Sequence, residues 1–155
     1  MLKIIVLLMF IVPTIYNFII HRNNIINTKK KPIFGFILAI FALVAGGLCY
    51  RLDNTVLGYA IAISAVLLIY TIIFFPGIRK DGFNIFLGAN PILKFVSFNK
   101  VKSVSIKSSK DNDLELTIKA HCNTYNQIYD LKDKDFIIKN IEGKTKLKTN
   151  IWTIK

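Results

Sequence analysis

Few side chains in this sequence could do chemistry, and their spacing excludes most of it. His121 and Cys122 are adjacent, a pair that would suit a zinc site or a thiol nucleophile with its base. The residues around them alternate in polarity, as on a strand. Neighbours on a strand point to opposite faces, so the two do not converge on one ion or one bond. Asp111, Asp113 and Glu115 alternate like the start of a calcium loop, but the turn glycine and the closing bidentate glutamate of such a loop are missing. Asp130, Asp133 and Asp135 read as a strand end followed by a helix start. The sequence has no phosphate-cradling glycine loop, no Gly-x-Ser-x-Gly, no His-Glu-x-x-His and no Cys-x-x-Cys. It therefore predicts no catalytic residue, no metal and no cofactor, and the chain is not expected to be an enzyme.

One cluster has a role beyond solubility within reach. Arg22, Lys29, Lys30, Lys31, Arg79 and Lys80 all flank apolar stretches. Held at a membrane face, each would add up to about 1 kcal/mol of attraction to anionic lipid headgroups. They are also the residue types that fix topology, and both readings stay open.

Three apolar runs must position these residues. Ile4–Ile20, Ile33–Tyr50 and Thr55–Phe75 hold 17, 18 and 21 residues, none of them charged. A helix needs roughly 17–25 such residues to cross a hydrocarbon core of about 30 Å. The sequence thus predicts three transmembrane helices (4–20, 33–50 and 55–75) followed by a domain over 76–155. The first run is expected to be retained rather than cleaved, because Ile20-His21-Arg22-Asn23 offers no small-x-small site. Pro13 should kink it, and Asn17 makes it the least apolar of the three.

With three spans, Lys3 and Arg51 lie on one side of the membrane and the six basic residues on the other. Positive residues near span ends stay cytoplasmic. The expected topology is a multi-pass protein of the cell membrane, N-terminus outside and residues 76–155 in the cytosol. Only Arg51-Leu52-Asp53-Asn54 separates the second and third runs, so these form a tight hairpin. Ala42 and Gly46 on one, with Gly58 and Ala62 on the other, are small residues four apart that would let helix backbones approach. No Asp, Glu, Lys, Arg or His lies inside a run, which argues against a channel, pump or proton-coupled carrier.

The chain carries 21 Lys+Arg against 9 Asp+Glu, a net charge of +12. The excess is spread over both halves, with six basic and one acidic residue up to Phe75. No basic cluster is interleaved with aromatics, so nucleic acid is not an expected partner. Cys49 and Cys122 read as small buried hydrophobes without a disulfide.

Beyond Pro76 the periodicity changes from helix to strand. Phe83, Ile85 and Leu87 alternate, Gly88-Ala89-Asn90-Pro91 signals a turn, and Lys94–Ser97 and Val101–Lys107 follow. The clearest segment is Leu114–Cys122, where Leu114, Leu116, Ile118, Ala120 and Cys122 face one way. Gln127–Leu131 reads as a further strand. Asp133 then looks like the N-cap of a helix with Phe136, Ile137 and Ile141 on its apolar face, ending at Gly143. Lys144–Lys155 reads equally as a last strand or an amphipathic tail. The predicted fold class is an α-helical membrane half plus a small antiparallel β domain closed by one helix.

This order resembles the bacterial pleckstrin-homology-like (PH-like) domains attached to short multi-span membrane proteins. The resemblance lies in Gly77-Ile78-Arg79-Lys80-Asp81-Gly82-Phe83 directly after the last span and in Val96–Val104. It continues in the Leu114–Cys122 strand and the Asp133–Asn140 helix. Phe98 stands where many members carry Trp. The resemblance implies an open barrel capped by a helix. It also implies a cytosolic binding domain, whose partner would be another protein or the inner leaflet. Several such proteins look like self-protection (immunity) factors encoded with membrane-active bacteriocins. A structural or accessory subunit of a transporter or envelope complex is the competing expectation.

Overall fold

An uninterrupted apolar segment can satisfy its backbone polar groups away from water only as a helix, and each run forms one. They are α1 (Leu2–His21), α2 (Pro32–Leu52) and α3 (Val56–Phe74), all long and apolar enough to cross a membrane. Each predicted span lies on one of these helices to within two residues at either end. The computed structural model describes residues 1–88, 90–108, 112–120, 123–142, 144 and 150–152.

Pro32 opens α2 in the first turn, where its missing N–H costs nothing. Thr55 caps α3, its hydroxyl accepting from the Gly58 N–H at 3.1 Å. α3 packs along both α1 and α2. The buried residues of α1 and α3 are mostly small or polar: Pro13, Thr14 and Asn17 beside Ile20 on α1, and Gly58, Ser64 and Thr71 beside Leu68 on α3. Three hydroxyls turn back onto their own helices, Thr14 to the Phe10 carbonyl (2.7 Å), Ser64 to Ala60 (2.6 Å) and Thr71 to Leu68 (2.7 Å). Small residues allow close approach where lipid supplies no hydrophobic drive between helices.

The chain forms two compact units that interleave in sequence. The helical unit comprises Met1–Arg22, Lys30–Phe75 and Phe86–Leu93; the sheet unit comprises Asn23–Lys29, Pro76–Ile85 and Lys94–Lys155. The loop between α1 and α2 therefore belongs to the sheet unit.

In the sheet unit, β1 (Ile26–Asn27), β2 (Gly77–Ile78), β3 (Gly82–Ile85) and β4 (Lys94–Ser97) form one antiparallel sheet in that order. The second sheet holds β5 (Val101–Ser108), β6 (Asp113–Ala120), β7 (Asn123–Asp130) and β8 (Asn150–Trp152), in the order β7-β6-β5-β8. Its pairs are antiparallel except β5 with β8, which is parallel. A single 3₁₀ turn, Phe98–Lys100, joins the sheets, and another, Leu131–Asp133, leads into α4 (Lys134–Glu142).

The alternation read along β6 is realised: Leu114, Leu116, Ile118 and Ala120 are all fully buried. They pack with Phe83, Val96, Val104, Tyr129, Ile137 and Ile141 in one core. The β3–β4 pair sits so tightly that a side chain at Gly82 would collide with the Val96 carbonyl.

Four particulars differ from the sequence reading. Leu87 lies beyond β3, and all four residues of β3 are buried: Phe83 and Ile85 enter the core, while Asn84 is covered by Asn24 and Gln127. β7 begins at Asn123 rather than Gln127; of its first four residues only Tyr125 packs against the core, and the other three are polar and exposed. Phe136 is 50% exposed, whereas Ile137 and Ile141 are buried as expected. Part of the tail, Asn150–Trp152, is a strand. The expectations for Ala89, Ser109–Asp111, His121, Cys122, Gly143 and the rest of the tail lie outside the described residues.

Candidate functional site

The six basic residues divide between the units. Arg22, Lys30 and Lys31 belong to the helical unit, Lys29, Arg79 and Lys80 to the sheet unit. Lys29 is held by two carboxylates at the paired ends of β6 and β7, Asp113 at 2.5 Å and Asp130 at 3.4 Å. The hydrogen bond to Asp113, opposed by some desolvation, raises its pKa above the ordinary 10.5. Burial pushes the Lys30 ammonium the other way, below that value. Arg79 lies over the Phe95 ring, 4.5 Å from its centroid, with Nε 3.3 Å from Asp81. Lys80 is exposed, and its carbonyl accepts from Lys144 at 2.5 Å. Arg22 caps α1 and Lys31 precedes α2, both exposed. Of the six, Lys29 and Arg79 are tied to partners in their own unit, while Arg22, Lys31 and Lys80 present exposed side chains.

The helical unit contains a more specific arrangement. Asn17, fully buried on α1, donates to the Thr71 hydroxyl (2.9 Å) and the Pro91 carbonyl (3.0 Å). Its amide oxygen accepts from the Leu93 N–H at 2.8 Å. One side chain thus holds α1, α3 and the segment Phe86–Leu93 together. The same end of the helices gathers aromatic rings: His21 stacks on Phe75 at 4.0 Å, and Phe18 meets Phe75 edge-on at 4.8 Å. Tyr70 stacks with Phe74 at 4.9 Å. Such a belt is what a helix carries where hydrocarbon gives way to headgroups.

No family model, curated protein or solved structure matches this chain. The geometry alone must carry the functional argument.

Of the four small residues on α2 and α3, Ala42, Gly46 and Ala62 line one apolar groove of about 200 Å³ with Ala45, Tyr59 and Ile63. Gly58 does not. A side chain there would strike the Asp53 carbonyl, so this glycine admits the α2–α3 turn. Gly46 has open space where a Cβ would stand. At the same turn Lys3 reaches Asp53 at 2.9 Å, and Thr55 donates to the same carboxylate. The Lys3 contact is the main cause that lowers the Asp53 pKa.

Sequence reasoning noticed Asn17 only as a blemish in an apolar run. Its partners Pro91 and Leu93 lie more than seventy positions away, and no local pattern announces such a bond. The sheet unit holds a comparable surprise. Asn84 donates to Asn24 at 2.5 Å, Gln127 to the Asn84 carbonyl at 2.9 Å, and the Tyr129 hydroxyl to Gln127 at 2.6 Å. This buried chain ties the α1–α2 loop to β3 and β7. Burial raises the Tyr129 pKa well above that of an ordinary tyrosine, so its hydroxyl stays a donor. Among the described residues, no group of His, Cys, Asp and Glu has the geometry of a metal site.

Proposed function

We propose that this chain is a non-enzymatic protein of the cell membrane that presents a PH-like domain to the cytosol as a binding module. We further propose that its role is self-protection against a membrane-active bacteriocin. The observation that supports it is the joining of three membrane-length helices to two small sheets closed by α4. The antiparallel strands β2 to β7, followed by a helix with Ile137 and Ile141 in the core, are in keeping with the helix-capped open barrel that the PH-like resemblance implies, whereas the parallel strand β8 after α4 has no counterpart in it. The orientation rests on the positive-inside asymmetry, with exposed Arg22, Lys31 and Lys80 facing the anionic inner leaflet. Basic residues there cannot repel an arriving cationic peptide, so protection would operate through binding by the domain and helices together.

Expression in a sensitive host tests the reading. The inhibitory concentration of one cationic bacteriocin should rise while unrelated antibiotics are unaffected, and truncation before Pro76 should abolish the effect. Full protection by the truncated helices would remove the domain from the account. Reporter fusions after Lys155 test orientation separately, since high alkaline phosphatase activity would place the domain outside.

One observation favours the second reading, an accessory subunit of a transporter or envelope complex. α2 buries only Cys49, and the groove beside Gly46 is open. A partner helix would fit there without rearrangement. Absence of protection across a panel of peptides, with co-purification of a membrane partner through α2, would support it.

A further inference from the structure

We infer that the connection between β3 and β4 is a membrane contact, in which Phe86, Leu87 and Ile92 enter the outermost hydrocarbon and the 91–93 end is tied down by Asn17. The inference rests on reading the three helices as membrane spans.

Asn17 lies four residues before the last residue of α1, and Thr71 three before that of α3. At 1.5 Å per residue that is about one helical turn, some 5–6 Å, inside each helix end. The loop, bonded to Asn17 through Pro91 and Leu93, is therefore drawn below the level at which the apolar helices stop. Irregular backbone at such a depth is tolerated only where its polar groups find protein partners. At the 91–93 end three of them do: the Leu93 N–H and the Pro91 carbonyl both go to Asn17, and the Ile92 N–H goes to the Asn90 side chain at 3.1 Å. Leu93 is 1% exposed and packs with Ile20 and Phe75. Phe86 instead remains 36% exposed, and Leu87 and Ile92 are half-exposed.

These side chains belong to the same unit as the apolar helix ends that Asn17 ties to the loop. Tyr16, Phe18, Ile19 and Tyr70 are exposed on the same last turns of α1 and α3. The occupant of the patch is therefore the bilayer itself, at the boundary of acyl chains and headgroups. The sequence of the loop suits that boundary: Asn90 and Pro91 give a turn, and Phe86, Leu87 and Ile92 supply the apolar anchors.

Tryptophan fluorescence of the full chain in vesicles of bromine-labelled phosphatidylcholine tests this. Trp152 is the single native tryptophan and is first replaced by Phe. Phe86→Trp then reports the loop, and Leu43→Trp, from the exposed middle of α2, reports a spanning helix. Phe86→Trp should be quenched by the brominated lipid at least half as deeply as Leu43→Trp, and shielded from aqueous iodide. Quenching of Leu43→Trp alone would overturn the inference and leave the spanning helices standing, whether the loop proves open to iodide or covered by protein. Quenching of neither would overturn the membrane reading underneath. Leu87→Trp repeats the measurement should Phe86→Trp fail to fold. Adding Asn17→Leu to Phe86→Trp should release the loop, with the lipid quenching lost and iodide quenching gained. Unchanged quenching would show that Asn17 is not its anchor.

Discussion

Replacing Asn17 by leucine should destabilise the helical unit, although every hydropathy argument says the reverse. Leucine at this position makes the first span more apolar and easier to insert. The structure shows what it removes. Hydrogen bonds between side chains in membrane bundles average about 0.6 kcal/mol, so three bonds sum to about 2 kcal/mol. The Leu93 N–H is then stranded in a buried site, at a cost of about 1–3 kcal/mol. Thr71 loses little, because its hydroxyl still donates to Leu68. Leucine recovers part of this by apolar contact, and the net expectation is a loss of roughly 2–4 kcal/mol. At about 2–4 °C per kcal/mol for a chain of this size, the melting temperature falls by roughly 5–15 °C. The assay is thermal unfolding of the full chain in detergent micelles, followed by near-ultraviolet circular dichroism. Ile19→Leu, two residues away and lipid-facing, serves as the neutral comparison. A melting temperature for Asn17→Leu at or above that of the unsubstituted chain would refute the reasoning.

Gly58→Ala should destabilise, because its methyl group meets the Asp53 carbonyl, whereas Gly46→Ala has open space and should be tolerated; the two melting temperatures compared directly decide this. Leu116→Ala removes a fully buried side chain from the sheet core and should cost about 2–5 kcal/mol in chemical unfolding. Tyr129→Phe leaves Gln127 without its buried donor and should cost about 1–2 kcal/mol by the same measurement. Lys29→Met should lower stability at neutral pH, and the sign of its pH dependence follows from the raised pKa. The stabilisation is complete below the ordinary value of 10.5 and disappears as pH rises through the higher folded value. The gap between the two proteins should therefore hold steady from neutral pH to about 10 and close only above it; a gap that closes lower would mean that the Asp113 contact is not its source.

The helices were legible because an apolar run of this length has only one soluble backbone solution in lipid. The strands β4, β5 and β6 were legible where alternation was strict, as in Leu114, Leu116 and Ile118. What escaped was whatever depends on distant partners. Asn123–Asn126 joins a sheet with only Tyr125 packed against the core and its other three side chains polar and exposed, too little alternation to mark a strand. Phe136 was placed on the buried helix face by size and spacing, yet Ile137 and Ile141 fill the core without it. Ile26 and Asn27 are too short a stretch to show any alternation, and only the pairing with Ile78 and Gly77 makes them a strand. The small residues of α2 and α3 were visible, but their spacing did not tell that Gly58 serves a turn and Gly46 an open groove.

The pairing of β1 with β2 also sets an order of events during synthesis. Asn27 leaves the ribosome fifty residues before Gly77, the partner it faces. At about 5–20 residues per second, roughly 3–10 s separate them, and both helices of the hairpin must be inserted in that interval. The first strand of the sheet thus waits, unpaired, at the membrane surface while the hairpin is threaded. At two residues it is too short to recruit a wrong partner. Insertion of only one of α2 and α3 would leave Ile26 and Gly77 on opposite sides of the bilayer, and the first sheet would remain one strand short. Completion of that sheet is therefore a built-in record of correct insertion.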